Sequence, residues 1–132
     1  MSVLALWTGA VLLLTGVRRV LAVRSRRVSV KEFRLGESAA VPADVTVFNR
    51  NLMNLLEMPL LFYVVSLGFY VAHAVDGTVL CLAWVFVALR LIHSAIHLTF
   101  NRVFARFVAF AASNFVLLVM WLRFVARVAW GA

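Results

Sequence analysis

Arg50, Asn54 and Glu57 stand at i, i+4 and i+7 in the stretch VFNRNLMNLLEMPLLFY, residues 47–63, and one turn every 3.6 residues puts all three on one helical stripe. A second stripe, Arg90, His93 and His97 at i, i+3 and i+7, is continued by Asn101 at i+11. Arg102 and Arg106 open the apolar run that follows, and Arg18 and Arg19 close the first apolar run. Guanidinium, amide and imidazole groups together hold an anionic ligand through charge-assisted hydrogen bonds. Only Glu57 supplies negative charge to this set, so the cluster is read as short of an anion. Charged side chains within apolar helices cost several kcal/mol on insertion scales, which makes a functional role the default expectation.

The elements that must position these groups are membrane helices. The 132 residues are 65% hydrophobic and 14% charged with a mean hydropathy of +1.03, whereas soluble domains run at roughly 45–50% apolar. Four apolar runs, at about 2–23, 47–74, 78–100 and 104–128, are each long enough to cross a bilayer. The expected fold is all-α: one domain over residues 1–132, an antiparallel four-helix transmembrane bundle. Its connections are a basic loop from Arg24 to Asp44, a tight turn at Ala74–Gly77, and a short link at Asn101–Arg102.

The formal charge of +8 comes from 13 Lys and Arg against 5 Asp and Glu. Arg18, Arg19, Arg24, Arg26, Arg27, Lys31 and Arg34 crowd the first connection, and no nucleic-acid motif accompanies them. Membrane lipids are therefore the expected partners and nucleic acid is not. The positive-inside rule places the basic first loop in the cytoplasm and both termini outside, so the polar stripes lie at cytoplasmic depth. The N-terminal run lacks a positive n-region and a cleavage motif and reads as a retained span. Cys81 has no partner for an internal disulfide. Pro59 removes a backbone N–H and crowds the carbonyl of Leu55, so a kink that widens the cytoplasmic half of the bundle is expected.

Each feature has a structural reading as well. Arg18, Arg19, Arg50 and Arg102 could snorkel to headgroups, and a Glu57–Arg90 pair could simply lock two helices. His93 and His97 could be interhelical hydrogen-bonders, and Ser66 and Ser113 packing residues. His73 has no polar neighbour expected at its depth. A metal site from His93, His97 and Glu57 is disfavoured, because the surrounding arginines repel a cation.

The run Arg50-Asn51-Leu52-Met53-Asn54-Leu55-Leu56-Glu57 resembles the signature Arg-Ala-His-x-Asn-x-x-Glu of the MAPEG family, the membrane-associated proteins in eicosanoid and glutathione metabolism. Arg90-Leu91-Ile92-His93-Ser94-Ala95-Ile96-His97 looks like that family's Arg-x-x-His-x-x-x-Tyr element. With the four spans, the basic first loop and the tight second turn, the likeness covers nearly the whole chain. Glu57-Met58-Pro59-Leu60-Leu61-Phe62-Tyr63 together with His93-Ser94-Ala95-Ile96-His97 is similar to the bacterial branch, which implies a bacterial inner membrane.

The resemblance implies a homotrimer with glutathione as co-substrate, bound between subunits near the cytoplasmic side. It implies glutathione contacts from Arg50, Asn54, Glu57, Arg90, His93 and His97, and Arg106 as the catalytic arginine near the thiol. A cation from Arg18-Arg19 would match the family's first-helix arginine. The implied activity is that of a transferase or peroxidase acting on hydrophobic electrophiles or lipid hydroperoxides from the bilayer. Glutathione's two carboxylates, ammonium and thiol complement several arginines and one glutamate, and an arginine beside the sulfur favours the thiolate. Leu52 replaces the motif histidine, His97 the tyrosine, and Phe107 a serine of the prostaglandin-synthase members. The ligand-holding skeleton is thus kept more fully than the groups nearest the chemistry. The alternative is a non-catalytic structural or lipid-binding trimer, or a subunit of a larger membrane complex.

Overall fold

The computed structural model describes residues 1–34 and 36–131. Four helices follow one another: α1 Ser2–Arg24, α2 Ala43–Val71, α3 Gly77–Leu98 and α4 Val103–Trp130, with one 3-10 turn, Val30–Phe33, in the first connection. Each helix is long and apolar enough to span a membrane. Their outer faces carry large exposed apolar side chains such as Leu6, Leu13 and Phe115, which suits hydrocarbon as the solvent. The four apolar helices fit an integral membrane protein.

Helix ends follow local chemistry. α2 begins at Ala43, earlier than 47, because the fixed φ of Pro42, −58°, leads into the helix and its carbonyl accepts from the Val45 and Thr46 N–H groups at 2.9 and 3.1 Å. It runs uninterrupted through Pro59 and stops at Val71. There the Ala74 N–H returns to the Phe69 carbonyl (2.9 Å) and the His73 N–H to that of Tyr70 (3.1 Å), with His73 in the left-handed region at φ +49°. α3 starts at Gly77 behind Asp76, whose carboxylate accepts from the Val79 N–H at 2.7 Å. It ends at Leu98, so Asn101 lies beyond the helix instead of on its stripe; Asn101 has φ +44°, and its N–H reaches the Ile96 carbonyl at 2.8 Å.

α3 packs most extensively on α4, and α1 on α2. The core joins Leu4 and Val11 of α1, Leu55, Phe62, Val65 and Phe69 of α2, Phe86 and Val87 of α3, and Leu117 and Met120 of α4. Phe62 stacks on Phe86 with centroids 4.5 Å apart. One buried polar node ties three helices: the Trp7 Nε1–H (2.9 Å) and the Asn51 amide N–H (2.7 Å) both donate to Ser94 Oγ.

The first connection is folded, not merely a loop. Ala22, Val28, Val41 and Val45 form a second small core, with Val23 and Phe33 packed against it. Arg19 pairs with Glu37 at 3.0 Å and Arg27 with Asp44 at 2.7 Å. Part of the basic charge is therefore neutralised locally, which spacing along the chain does not reveal.

Candidate functional site

Arg50, Asn54 and Glu57 of α2, His93 and His97 of α3, and Arg106 of α4 line one cleft of about 440 Å³. The two stripes face each other because α2 and α3 run antiparallel, and α4 closes the side. Met53, Val103, Phe107 and Phe110 complete the wall. Helical spacing carried the signal for Phe110, one turn after Arg106. Arg102 stands outside the cleft at the N-cap of α4.

Arg90 belongs to the same cluster but lies behind the cleft wall. Its side chain is fully buried, Nη2 donates to the Asn54 carbonyl, and the guanidinium carbon sits 5.7 Å from the Phe110 ring centroid. Its Nε and Nη1 are buried without a hydrogen-bond partner. Among the described residues the ion pairs are Arg19–Glu37, Arg27–Asp44 and Arg123–Asp76, so Glu57 and Arg90 do not form the helix-locking pair that their spacing allows. A buried, incompletely bonded guanidinium is costly without an anionic partner nearby.

The imidazoles are held by α4. A carbonyl can only accept, so the contact of His93 Nδ1 with the Arg106 carbonyl (3.0 Å) is an N–H donation, and His93 Nε2 is left buried and unpartnered. Arg106 Nη1 donates to Asn101 Oδ1 at 2.7 Å and faces His97 Nε2 at 3.4 Å. The two rings meet edge to face with centroids 6.0 Å apart. Among the described residues no group of three or more His, Cys, Asp or Glu side chains is placed to hold a metal ion.

The first helix contributes nothing to this wall. Arg18 lies over the Phe48 ring at 4.8 Å, and Arg19 is taken by Glu37 and the Phe33 ring. At the opposite end of the bundle, His73 does have polar neighbours: it shares a cavity of about 320 Å³ with Asp76, Arg123 and Arg127.

The MAPEG family model matches residues 1–126. The chain belongs to the MAPEG family. No curated protein and no solved structure matches it. Within this MAPEG protein the three motif departures occupy different surroundings. Leu52, at the histidine position, is buried in the apolar core and does not line the cleft. His97 and Phe107 both line it, and Phe107 is 63% exposed. The departures that bear on the cleft are therefore two: His97 near the end of α3 and Phe107 in the opening turns of α4.

Proposed function

We propose that this MAPEG protein binds glutathione, or a similar anionic thiol, in the α2–α3–α4 cleft and presents its thiolate to hydrophobic electrophiles or lipid hydroperoxides that arrive from the bilayer. The observation that carries this reading is the convergence of Arg50, Glu57, His93, His97 and Arg106 on one cleft backed by the buried, under-bonded Arg90. The charges are complementary: Arg50 suits a carboxylate and Glu57 the ammonium, while the buried Arg90 adds positive potential from behind the wall. Arg106 is assigned to the sulfur, where its fixed positive charge favours the thiolate over the thiol. The cleft is taken to face the cytoplasm, following the basic first loop, and to be completed by a neighbouring subunit of a homotrimer.

A second reading draws on Phe107, an apolar ring exposed in the cleft. It makes the protein a non-catalytic trimer that holds an anionic headgroup or joins a larger membrane complex.

Titration calorimetry with glutathione, combined with the ultraviolet absorbance of the bound thiolate, separates the two. The catalytic reading expects binding to the purified protein with a thiolate signal at neutral pH. Arg50→Ala should weaken binding about 10- to 100-fold, the range for losing a charged hydrogen bond. Arg106→Ala should retain most of the affinity and lose the thiolate signal. Absence of both binding and signal in the unmodified protein ends this reading.

A further inference from the structure

We propose that Asn101, outside every helix, is the positioning residue that sets the guanidinium of Arg106 in the cleft. The inference rests on the role given above to Arg106 and deepens it.

Three observations carry it. Asn101 sits in the left-handed region at φ +44°, a conformation that asparagine tolerates better than most side-chain-bearing residues, and its N–H is tied to the Ile96 carbonyl at 2.8 Å. This backbone placement sends the amide oxygen to Arg106 Nη1 at 2.7 Å. The same nitrogen faces His97 Nε2 at 3.4 Å, while the Arg106 carbonyl accepts from His93 at 3.0 Å. Arg106 is thus held at both its backbone and the tip of its side chain by the end of α3 and the turn after it. Nη1 is used by the turn, and Nε and Nη2 remain for a ligand in the cleft.

The chemistry of the acceptor matters as much as its position. An amide oxygen orients the guanidinium without carrying a compensating charge, so the full positive charge stays directed to the ligand. A carboxylate at the same place would orient Arg106 equally well and cancel much of its field. An arginine already fixed also loses less rotamer freedom when the ligand binds.

Two variants separate backbone from side chain. Asn101→Gly keeps the left-handed turn and removes the oxygen; Asn101→Asp keeps the turn and the oxygen but adds a charge. A ligand-free readout is the rate at which phenylglyoxal modifies Arg106 in the purified full chain, followed by peptide mass spectrometry with Arg102 as internal reference. Asn101→Gly should unfold at no lower temperature than the unmodified protein, and its Arg106 labelling should rise roughly threefold or more as the side chain is released. In the glutathione complex, the pH titration of thiolate absorbance should move upward by about one unit in Asn101→Gly and further in Asn101→Asp.

Unchanged Arg106 labelling in Asn101→Gly overturns the proposal whether or not glutathione binds. So does a thiol titration that Asn101→Asp leaves where it was in a protein that binds glutathione. Raised labelling in a protein that takes up no glutathione upholds the positioning role and removes the assigned ligand instead.

Discussion

At Gly68 a Cβ would fall 2.8 Å from Cζ and 2.9 Å from Cε2 of Phe124, closer than carbon atoms tolerate. Phe124 has little freedom to retreat, because its ring meets Phe69 and Trp121 edge to face at 5.3 and 6.0 Å. Alanine brings a helix-propensity gain of up to about 1 kcal/mol, but overpacking costs about 1–3 kcal/mol. Gly68→Ala should therefore lower stability by about 1 kcal/mol, and the loss should vanish in a Phe124→Leu background; thermal unfolding of the four proteins in detergent checks this coupling. Single residues also mark where the linear reading stops. Arg50 and Glu57 announce themselves by charge in an apolar run. Asn51 and Ser94, polar residues turned to the core, are recognisable only once Trp7 and Asn51 are seen donating to the same hydroxyl.

Helix ends decide much of what the elements do. Asp76 receives the Val79 N–H at 2.7 Å and the Arg123 guanidinium at 2.9 Å. The first of these bonds, followed by the charge of Arg123, holds its carboxyl below the usual carboxylate range. A folded-state value below the unfolded one means stabilisation that is present at neutral pH and lost as pH falls through the folded value. Asp76→Ala should accordingly lower Tm near neutral pH, and the gap from the unmodified protein should close below about pH 4 as the native carboxyl protonates. Melting both proteins from about pH 7 down to about pH 3 tests the sign. A gap that widens on acidification contradicts it. The Asp-Gly turn was legible from residue type, as were four apolar runs, whereas the folded first connection was not. Its pairs join Arg19 to Glu37 and Arg27 to Asp44 across many residues, and no local periodicity encodes them.

Across the whole molecule the cleft takes one wall from each of α2, α3 and α4 and leaves Glu57 and Phe107 exposed. That geometry suits a site completed by a neighbouring subunit. The proposed homotrimer predicts a protein mass in detergent three times the 14.8 kDa chain, measured by light scattering with the detergent contribution subtracted. Glutathione at a hundredfold excess over its Kd should stabilise the native assembly by about 2.7 kcal/mol, read as a rise in Tm. A monomer that binds glutathione at full strength would remove the neighbouring subunit from the site.

Composition, hydropathy and two helical stripes by themselves determined an all-α membrane bundle and five of the groups that line its cleft, with Arg106 at the start of the fourth apolar run as a sixth, because burial in lipid and 3.6-residue periodicity act locally along the chain. They also nominated Arg90, but only the packed structure puts it behind the wall, bonded to the Asn54 carbonyl instead of Glu57. Tertiary packing likewise removed Arg18 and Arg19 from the cluster, setting Arg18 over the Phe48 ring and Arg19 on Glu37. Those outcomes depend on which long, flexible side chain reaches which partner across helices, a competition settled by three-dimensional distance and not by position in the sequence.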